Sequence, residues 1–163
     1  DEVVRFLRMI TDEKGYNLSL RNITISTCGL VPKIKAFARE NLPVTLAISL
    51  HGATDEVREK LMPINRKYKI AEIMSAVDEY LDMTHRRVTF EYALIKDIND
   101  MSQQAEVLSR LLKGKLVHVN LIPINSVEEN NFFPSSETQI YKFKSILEKS
   151  GINVTIRRVT EKL

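Results

Sequence analysis

The chain alternates apolar runs typical of β-strands with apolar stripes at helical spacing, and this order constrains the fold more than any other feature. Val44–Leu50 reads VTLAISL and is almost continuously apolar, which is the pattern of a strand covered on both faces. Ile70–Leu81 instead carries its apolar residues three and four positions apart, as one side of a helix does. The predicted strands are Asn22–Thr27, Val44–Leu50, Val88–Ile95, Leu116–Ile122 and Ile152–Arg157. Because helices alternate with these strands, the sequence predicts an α/β fold with a mostly parallel sheet, in a single domain of residues 1–163.

Side chains that cap helices mark where two of the predicted helices begin. Thr54 is the predicted N-cap of a short helix, and Asp55 after it suits the positive end of the helix dipole. Pro63 is expected to end this helix, because proline lacks the backbone N–H that a helix needs. Ser135 and Ser136 offer an N-cap for the last helix.

The composition is that of an ordinary water-soluble globular protein, with 44% hydrophobic and 28% charged residues. No apolar run approaches the roughly 18 residues that a membrane-spanning helix needs. Asp1–Ile10 is interrupted by arginines and does not resemble a signal peptide, and a single cysteine, Cys28, excludes an internal disulfide framework. We therefore expect a cytoplasmic protein with no membrane partner. The net charge of +3 permits an RNA or phosphate partner without requiring one.

Polar side chains follow two of the apolar runs directly, at positions where folding alone does not need them. Ser49-Leu50-His51 ends the second predicted strand, and Leu121–Asn125 (LIPIN) ends the fourth. In α/β barrels the carboxyl ends of all strands meet at one face, and ligands bind there. We therefore expect these residues to line one shared mouth, together with Ser26 of the first strand.

Five segments carry a family resemblance, and they occur in this order: RNITISTCGLVPKI, LAISLHG, REKLMPINRKY, RRVTFEYALIKDIND and HVNLIPIN. Together they resemble the radical S-adenosylmethionine (SAM) RNA methyltransferases, in particular those of the RlmN type. Enzymes of that type methylate C2 of adenine in 23S rRNA and tRNA. The resemblance runs from about Gly15 to Arg158. It implies an incomplete radical-SAM-type (β/α) barrel, of which this chain is the C-terminal part, truncated at both ends.

The resemblance also implies which residues contact SAM. Ser26 matches the first serine of the family's ST-x-G-L-V-P segment, and Ser49, Leu50 and His51 match its S-L-H segment. Asn125 matches the asparagine that closes the N-L-I-P-x-N segment. A hydroxyl, an imidazole and a carboxamide can hydrogen-bond the polar ends of a zwitterionic nucleoside such as SAM.

The family's iron–sulfur chemistry needs residues that this chain does not contain. The [4Fe-4S] cluster of the family is held by a C-x-x-x-C-x-x-C loop, and a further C-terminal cysteine carries the methyl group during transfer. Cys28 is the single cysteine here, and it falls on a variable position of the family segment. We therefore predict no metal ligand and no catalytic residue within the chain. The cluster belongs to the parent protein, and the chain alone is expected to be inactive.

Three other functions stay open at this stage. The related resistance methyltransferases, which act on C8 of adenine in ribosomal RNA, share the LMPIN and HVNLI segments. A non-catalytic RNA-binding barrel would require that the native gene itself lacks the cysteines. An unrelated phosphate-binding α/β barrel would need a glycine-rich loop near its last strands, where only Gly114 and Gly151 occur, both as helix terminators.

Further residues have both a structural and a functional interpretation. Glu91 and Tyr92 are expected to face the barrel interior, where Glu91 either belongs to the site or is paired structurally. Lys96 is either a Schiff-base lysine or, as we favour, a solvated loop residue. Three basic pairs either meet RNA phosphates or face solvent: Arg66-Lys67, Arg86-Arg87 and Arg157-Arg158. Because barrel strands before Ile23–Thr27 are missing, we also expect self-association through that exposed edge.

Overall fold

A computed structural model describes residues 2–127, 129 and 131–157 of the chain, and within them five parallel strands form one sheet in chain order. The strands are β1 (Thr24–Thr27), β2 (Thr45–Ser49), β3 (Val88–Leu94), β4 (Val117–Pro123) and β5 (Asn153–Ile156). The helices are α1 (Glu2–Ile10), α2 (Val31–Glu40), α3 (Asp55–Leu61), α4 (Ile70–Thr84), α5 (Ser102–Leu112) and α6 (Glu137–Lys149). Leu20–Asn22 and Pro63–Arg66 are 3₁₀ helices. Since β1 pairs only with β2 and β5 only with β4, the described sheet is open, as an incomplete barrel is.

One face of the sheet packs against the helices and forms the main core. In β2, Leu46 and Ile48 point to this side, where each is at most 2% exposed. Tyr92 of β3 lies on the same side, with its ring centroid 5.1 Å from that of Phe143 on α6. The expectation that Tyr92 faces the barrel interior is therefore wrong, because neighbouring residues of a strand point to opposite faces.

The other face of the sheet is largely polar. Register places Ser49 of β2 beside Glu91 of β3, Glu91 beside Asn120 of β4, and Asn120 beside Thr155 of β5. These side chains share one face because partners in a parallel ladder point the same way. The prediction that Val44–Leu50 is covered on both faces holds for the burial of Ala47, which is 1% exposed on the second face, but helices cover only the first face.

The predicted strands are confirmed to within about two residues at each end. The largest difference is at Asn22, which ends a 3₁₀ helix before β1 begins at Thr24. The predicted caps are also present. Thr54 Oγ1 accepts a hydrogen bond from Val57 N at 3.4 Å, and Ser136 Oγ accepts one from Gln139 N at 3.2 Å.

Over the part of the chain that the structure describes, no helix is both long and apolar enough to cross a membrane.

Candidate cofactor site

The structure brings the predicted site residues to the carboxyl-terminal end of the sheet. Ser49 is the last residue of β2, and His51 follows two residues later. Asn125 lies two residues beyond β4 and is exposed. Ser26 lies one residue before the end of β1, exposed on the polar face and in register with Ala47, so it sits deeper than the other three.

Leu50 is placed differently from its neighbours. Its side chain is fully buried in the core on the helix side of the sheet. Its backbone N–H donates to the Glu91 carbonyl at 3.0 Å. Of the groups of Leu50, only the backbone carbonyl therefore remains for a ligand.

His51 has a fixed ring orientation and a fixed charge. Its φ of 55° lies in the left-handed region, and its Nδ1 accepts a hydrogen bond from the backbone N–H of Ala93 at 3.0 Å. Burial, aided by the nearby Arg58 guanidinium, lowers the pKa of the imidazole from 6.5 to about 4. The ring is therefore neutral at physiological pH. Because Nδ1 accepts, the proton is on Nε2, which is left as a donor.

Asn99 holds His51 in place, and it was missed although it lies in the RRVTFEYALIKDIND segment. The side chain is fully buried, and its Oδ1 accepts from Ile95 N at 2.7 Å. Its Nδ2 donates both to the Ala93 carbonyl at 2.6 Å and to the His51 carbonyl at 2.8 Å. One amide thus joins the segments that follow β2 and β3.

Arg58 was also missed, although it lies in the REKLMPINRKY segment that carries part of the resemblance. The residue is fully buried, with Nη2 donating to the Cys28 carbonyl at 2.6 Å and Nη1 donating to Asn65 Oδ1 at 2.9 Å. Asn65 in turn donates to Asp55 Oδ1 at 3.0 Å. This network ties α3 and the 3₁₀ helix after it to the turn that follows β1. Its place in a recognised segment is the one sequence signal that could have pointed to it.

Two glycines allow the chain to pass close to Arg58. A Cβ at Gly52 would lie 2.6 Å from the backbone nitrogen of Arg58, a distance that no real side chain tolerates. A Cβ at Gly29 would lie 2.9 Å from Ile73 Cδ1, and its φ of +98° is one that side chains rarely adopt. The turns after β1 and β2 therefore pack directly on Arg58.

Asp100 makes the corresponding connection on the other side of the mouth. Its Oδ1 accepts from Asp97 N at 3.0 Å, and its Oδ2 accepts from the Ser135 hydroxyl at 2.7 Å. Ser135 therefore binds the loop after β3, while Ser136 alone caps α6. Together with Asn99 and Arg58, this contact cross-links the loops that surround the strand ends, so the mouth is organised before a ligand enters.

The three remaining candidate residues, Glu91, Lys96 and Cys28, differ in their burial and in their contacts. Glu91 is half-buried on the polar face, and it forms no ion pair within the described chain, so the structural pairing considered for it is absent there. Lys96 is an exposed loop residue, as a solvated lysine would be. Its backbone N–H donates to the Phe133 carbonyl at 2.9 Å. Cys28 is half-buried, and its carbonyl is used by Arg58.

The donor set at the mouth fits SAM but does not fit an iron–sulfur cluster. The chain has one cysteine, and no group of three histidine, cysteine or acidic residues suited to a metal occurs among the residues with described positions. The hydroxyl of Ser49, Nε2 of His51, the carboxamide of Asn125 and the carboxylate of Glu91 offer both donors and acceptors. A zwitterionic nucleoside needs both.

Comparison with known proteins gives the family. The sequence model of the radical SAM superfamily matches residues 1–120. A probable dual-specificity RNA methyltransferase RlmN of Alkaliphilus metalliredigens is 50% identical over 97% of the chain, and that of Carboxydothermus hydrogenoformans is 52% identical over 96%. The chain spans 45% and 46% of these two relatives, a little under half of their length. The resemblance to RlmN-type proteins that the five segments predicted is confirmed.

Solved structures agree with the sequence relatives. A radical SAM methyltransferase from Sphaerobacter thermophilus superposes with a TM-score of 0.92 at 46% identity, over 95% of this chain and 46% of that one. A domain of the pyruvate-formate lyase-activating enzyme from Bacteroides vulgatus has a TM-score of 0.65 at 16% identity, over 83% of this chain and 80% of that one, and shows the fold alone. The family match over more than two thirds of the chain, on a parallel sheet whose strand ends form a polar mouth, leads to one conclusion: the chain belongs to the radical SAM superfamily.

Proposed function

We propose that this chain forms part of the SAM pocket of an RNA methyltransferase that methylates C2 of adenine in 23S rRNA and tRNA. Relatives named as dual-specificity RNA methyltransferases are about half identical to it over nearly its whole length, which supports this reaction. In this proposal residues 1–163 are the C-terminal part of a radical SAM barrel, and the cluster ligands and the methyl-carrying cysteine come from other segments of the parent protein.

The residues of the mouth take separate roles in binding SAM. His51, neutral and with its proton on Nε2, donates to an acceptor of the ligand, and its ring cannot turn without losing the bond from Ala93. Ser49 and Asn125 supply a hydroxyl and a carboxamide, and Leu50 contributes its backbone carbonyl. Ser26 contacts the ligand from deeper on the polar face. When bound, SAM would supply the methyl group that is transferred and, with one electron from the cluster of the parent protein, the radical chemistry of the family.

The hydrogen bond from Ala93 N to His51 Nδ1 is the observation on which this proposal depends. A histidine whose ring orientation and charge are both set by the fold is pre-organised for one hydrogen bond to a ligand, and such preorganisation lowers the entropy cost of binding. Its surroundings support this role, because the Asn99 bond to its carbonyl and the Arg58 network both hold the turn in which it lies.

Equilibrium dialysis with radiolabelled SAM tests the pocket. We expect weak binding by the chain alone, and a further loss of at least about tenfold in His51→Ala, since removing a hydrogen bond of about 1.4 kcal/mol changes affinity tenfold. His85→Ala is the matched control, because His85 is exposed at the opposite end of the sheet. Equal binding by wild type and His51→Ala would exclude the assigned role of the imidazole.

Analysis of the product tests the reaction. Cells that lack adenine-C2 methylation and express the whole reading frame containing this chain are expected to accumulate 2-methyladenosine in ribosomal and transfer RNA. 8-Methyladenosine would instead identify the C8 enzyme, and no new methylated adenine would favour a non-catalytic RNA-binding protein. With a reductant and an RNA fragment, the 163-residue chain alone is expected to give no product.

A further inference from the structure

The three basic pairs of the sequence have different surroundings in the structure. Arg66 Nε lies 3.2 Å from Glu59 Oε1, so its charge is already compensated. Lys67 Nζ lies over the ring of Tyr68, 5.5 Å from its centroid. In the pair Arg157-Arg158, the second arginine lies outside the described residues. For the pair Arg86-Arg87, by contrast, both residues are described and neither has a compensating side-chain contact of this kind with another described residue.

Arg86 and Arg87 line a cleft of about 390 Å³ at the amino-terminal end of the sheet, directly before β3. Arg21, in the 3₁₀ helix that precedes β1, reaches the same cleft from a distant part of the chain. The other lining residues are Pro43, Val44, Thr45 and His85. No carboxylate lines this cleft, which we call the basal cleft, within the described structure.

The arginines of the basal cleft are not neutralised by the rest of the protein. Arg21, Arg86 and Arg87 form no side-chain hydrogen bond or ion pair with any residue whose position is described. Three guanidinium groups that face one cleft repel each other, and an anion bound between them removes that repulsion. Arginine forks match the geometry of phosphate oxygens, which makes phosphate the anion that suits them.

The cavity beside the basal cleft adds no further arginine or lysine to its lining. Arg87 also lines a neighbouring cavity of about 550 Å³, together with His118, Asn153 and Thr155. Glu148 lies in that cavity, but it is ion-paired with Lys144 on α6. Within the described structure, the excess of positive charge is therefore concentrated in the basal cleft.

We propose that the basal cleft binds backbone phosphates of the RNA and so positions the RNA on the protein. This inference rests on the proposed function for the identity of the polyanion. β3 is seven residues long, so the cleft and the mouth are separated by roughly 20 Å along the strand. Modules that bind double-stranded RNA contact about 16 base pairs, so a folded RNA can contact both ends of the sheet. Phosphate contacts of this kind set register and carry no base specificity.

Fluorescence anisotropy with a fluorescein-labelled RNA stem-loop tests the proposal on the full 163-residue chain. R86Q/R87Q is expected to weaken binding at least about fivefold and to reduce the slope of log K against log salt by about 1.8, or roughly 0.9 for each duplex phosphate that the variant no longer binds. R110Q/K142Q removes the same charge from the exposed surfaces of α5 and α6, and should leave the slope within about 0.3 of wild type. R86K/R87K is expected to keep most of the affinity, since lysine still binds phosphate as a point charge.

Two results would overturn the proposal: an unchanged slope in R86Q/R87Q, or an equal weakening of binding in both double variants. Urea unfolding reports whether each variant is folded. If R86Q/R87Q is not folded, R21Q takes its place, because Arg21 is exposed in a short 3₁₀ helix, and its slope should fall by about 0.9.

SAM binding by the same variants separates this inference from the proposed function. Intact, His51-dependent SAM binding with no effect of Arg86 and Arg87 on RNA would overturn the basal cleft alone. Loss of RNA affinity in R86Q/R87Q, with no SAM bound by any form of the chain, would overturn the SAM pocket and leave the cleft.

Discussion

Asn99 Nδ2 donates a hydrogen bond of 2.8 Å to the carbonyl of His51, so one buried amide holds the loop in which the candidate ligand-binding histidine lies. The same side chain makes two further bonds to the backbone, one from Ile95 N and one to the Ala93 carbonyl. A single side chain therefore sets the relative position of the segments after β2 and β3. His51 itself reaches the mouth in a left-handed conformation that this bond helps to maintain.

Asn99→Ala is expected to lower the free energy of unfolding by about 2–4 kcal/mol, because it leaves buried backbone groups without partners. Urea unfolding followed by circular dichroism measures the change. Gln103→Ala, on the exposed surface of α5, is the control and should change stability by less than about 0.5 kcal/mol. A change in Asn99→Ala as small as that of the control would contradict the role assigned to this amide.

Protonation of His51 makes stability depend on pH. Its pKa is about 4 in the folded protein and 6.5 in the unfolded chain, so between these values the unfolded state binds more protons. The stabilisation is therefore present above pH 6.5 and is lost as the pH falls towards 4, by an amount on the order of 2–3 kcal/mol.

Urea unfolding at pH 7 and pH 5 tests this dependence, and His51→Gln is expected to lose less stability over that range than wild type. His85→Gln should behave as wild type, since His85 is exposed at the other end of the sheet. Titration of the His51 ring by NMR gives the pKa directly. A midpoint near 6.5 would show that the ring is not held as the structure indicates.

Much of the fold is predictable from the sequence because periodicity reports burial. The helical stripe in Ile70–Leu81 and the apolar run in Val44–Leu50 each mark an element that the structure contains. Periodicity alone could not tell that β2 has helices on one face only. In VTLAISL, the residue on the polar face between Thr45 and Ser49 is Ala47, and an alanine makes the run look apolar throughout. Ala47 is small and is buried even on that face. Tyr92 was misplaced because a tyrosine is compatible with either face.

The position of the candidate site was predictable from the sequence, but the buried residues that hold its loops in place were not. Ser49 ends a strand, His51 and Asn125 follow strands, and the topology of a parallel sheet brings strand ends together. The residues that organise the mouth, Arg58 and Asn99, contact backbone groups of distant segments. No local pattern in the sequence records those partners, because the hydrogen bonds of these two fully buried residues form only when distant segments come together in the fold.

Arg58 is expected to be more sensitive to substitution than any exposed arginine. Arg58→Ala leaves the Cys28 carbonyl and Asn65 Oδ1 without their donors, and should lower the free energy of unfolding by about 3–5 kcal/mol. Arg58→Lys keeps the charge but cannot reach both acceptors in the same geometry, so it should recover less than half of the loss.

Urea unfolding measures the Arg58 variants against Arg39→Ala, which removes an exposed arginine from α2. That control is expected to change stability by less than about 0.5 kcal/mol. Full recovery by Arg58→Lys would mean that the charge alone matters, and that the guanidinium fork does not hold the turns after β1 and β2.

The outer edge of β1 is the last feature with a testable consequence. In the described sheet β1 pairs only with β2, which leaves backbone donors and acceptors along its other side. A groove beside this edge, between α1 and α2, is lined mainly by apolar residues that include Val4, Ile25 and Leu30. An open edge next to an apolar groove favours pairing with a second copy, so we expect the chain to self-associate as its concentration rises.

Thr24→Lys puts a charge on this strand and should shift the association to about tenfold higher concentration, whereas Thr138→Lys adds the same charge on α6 and should not. Sedimentation velocity over a concentration series measures both variants, and a wild-type chain that stays monomeric throughout would show that the edge does not pair with a second copy.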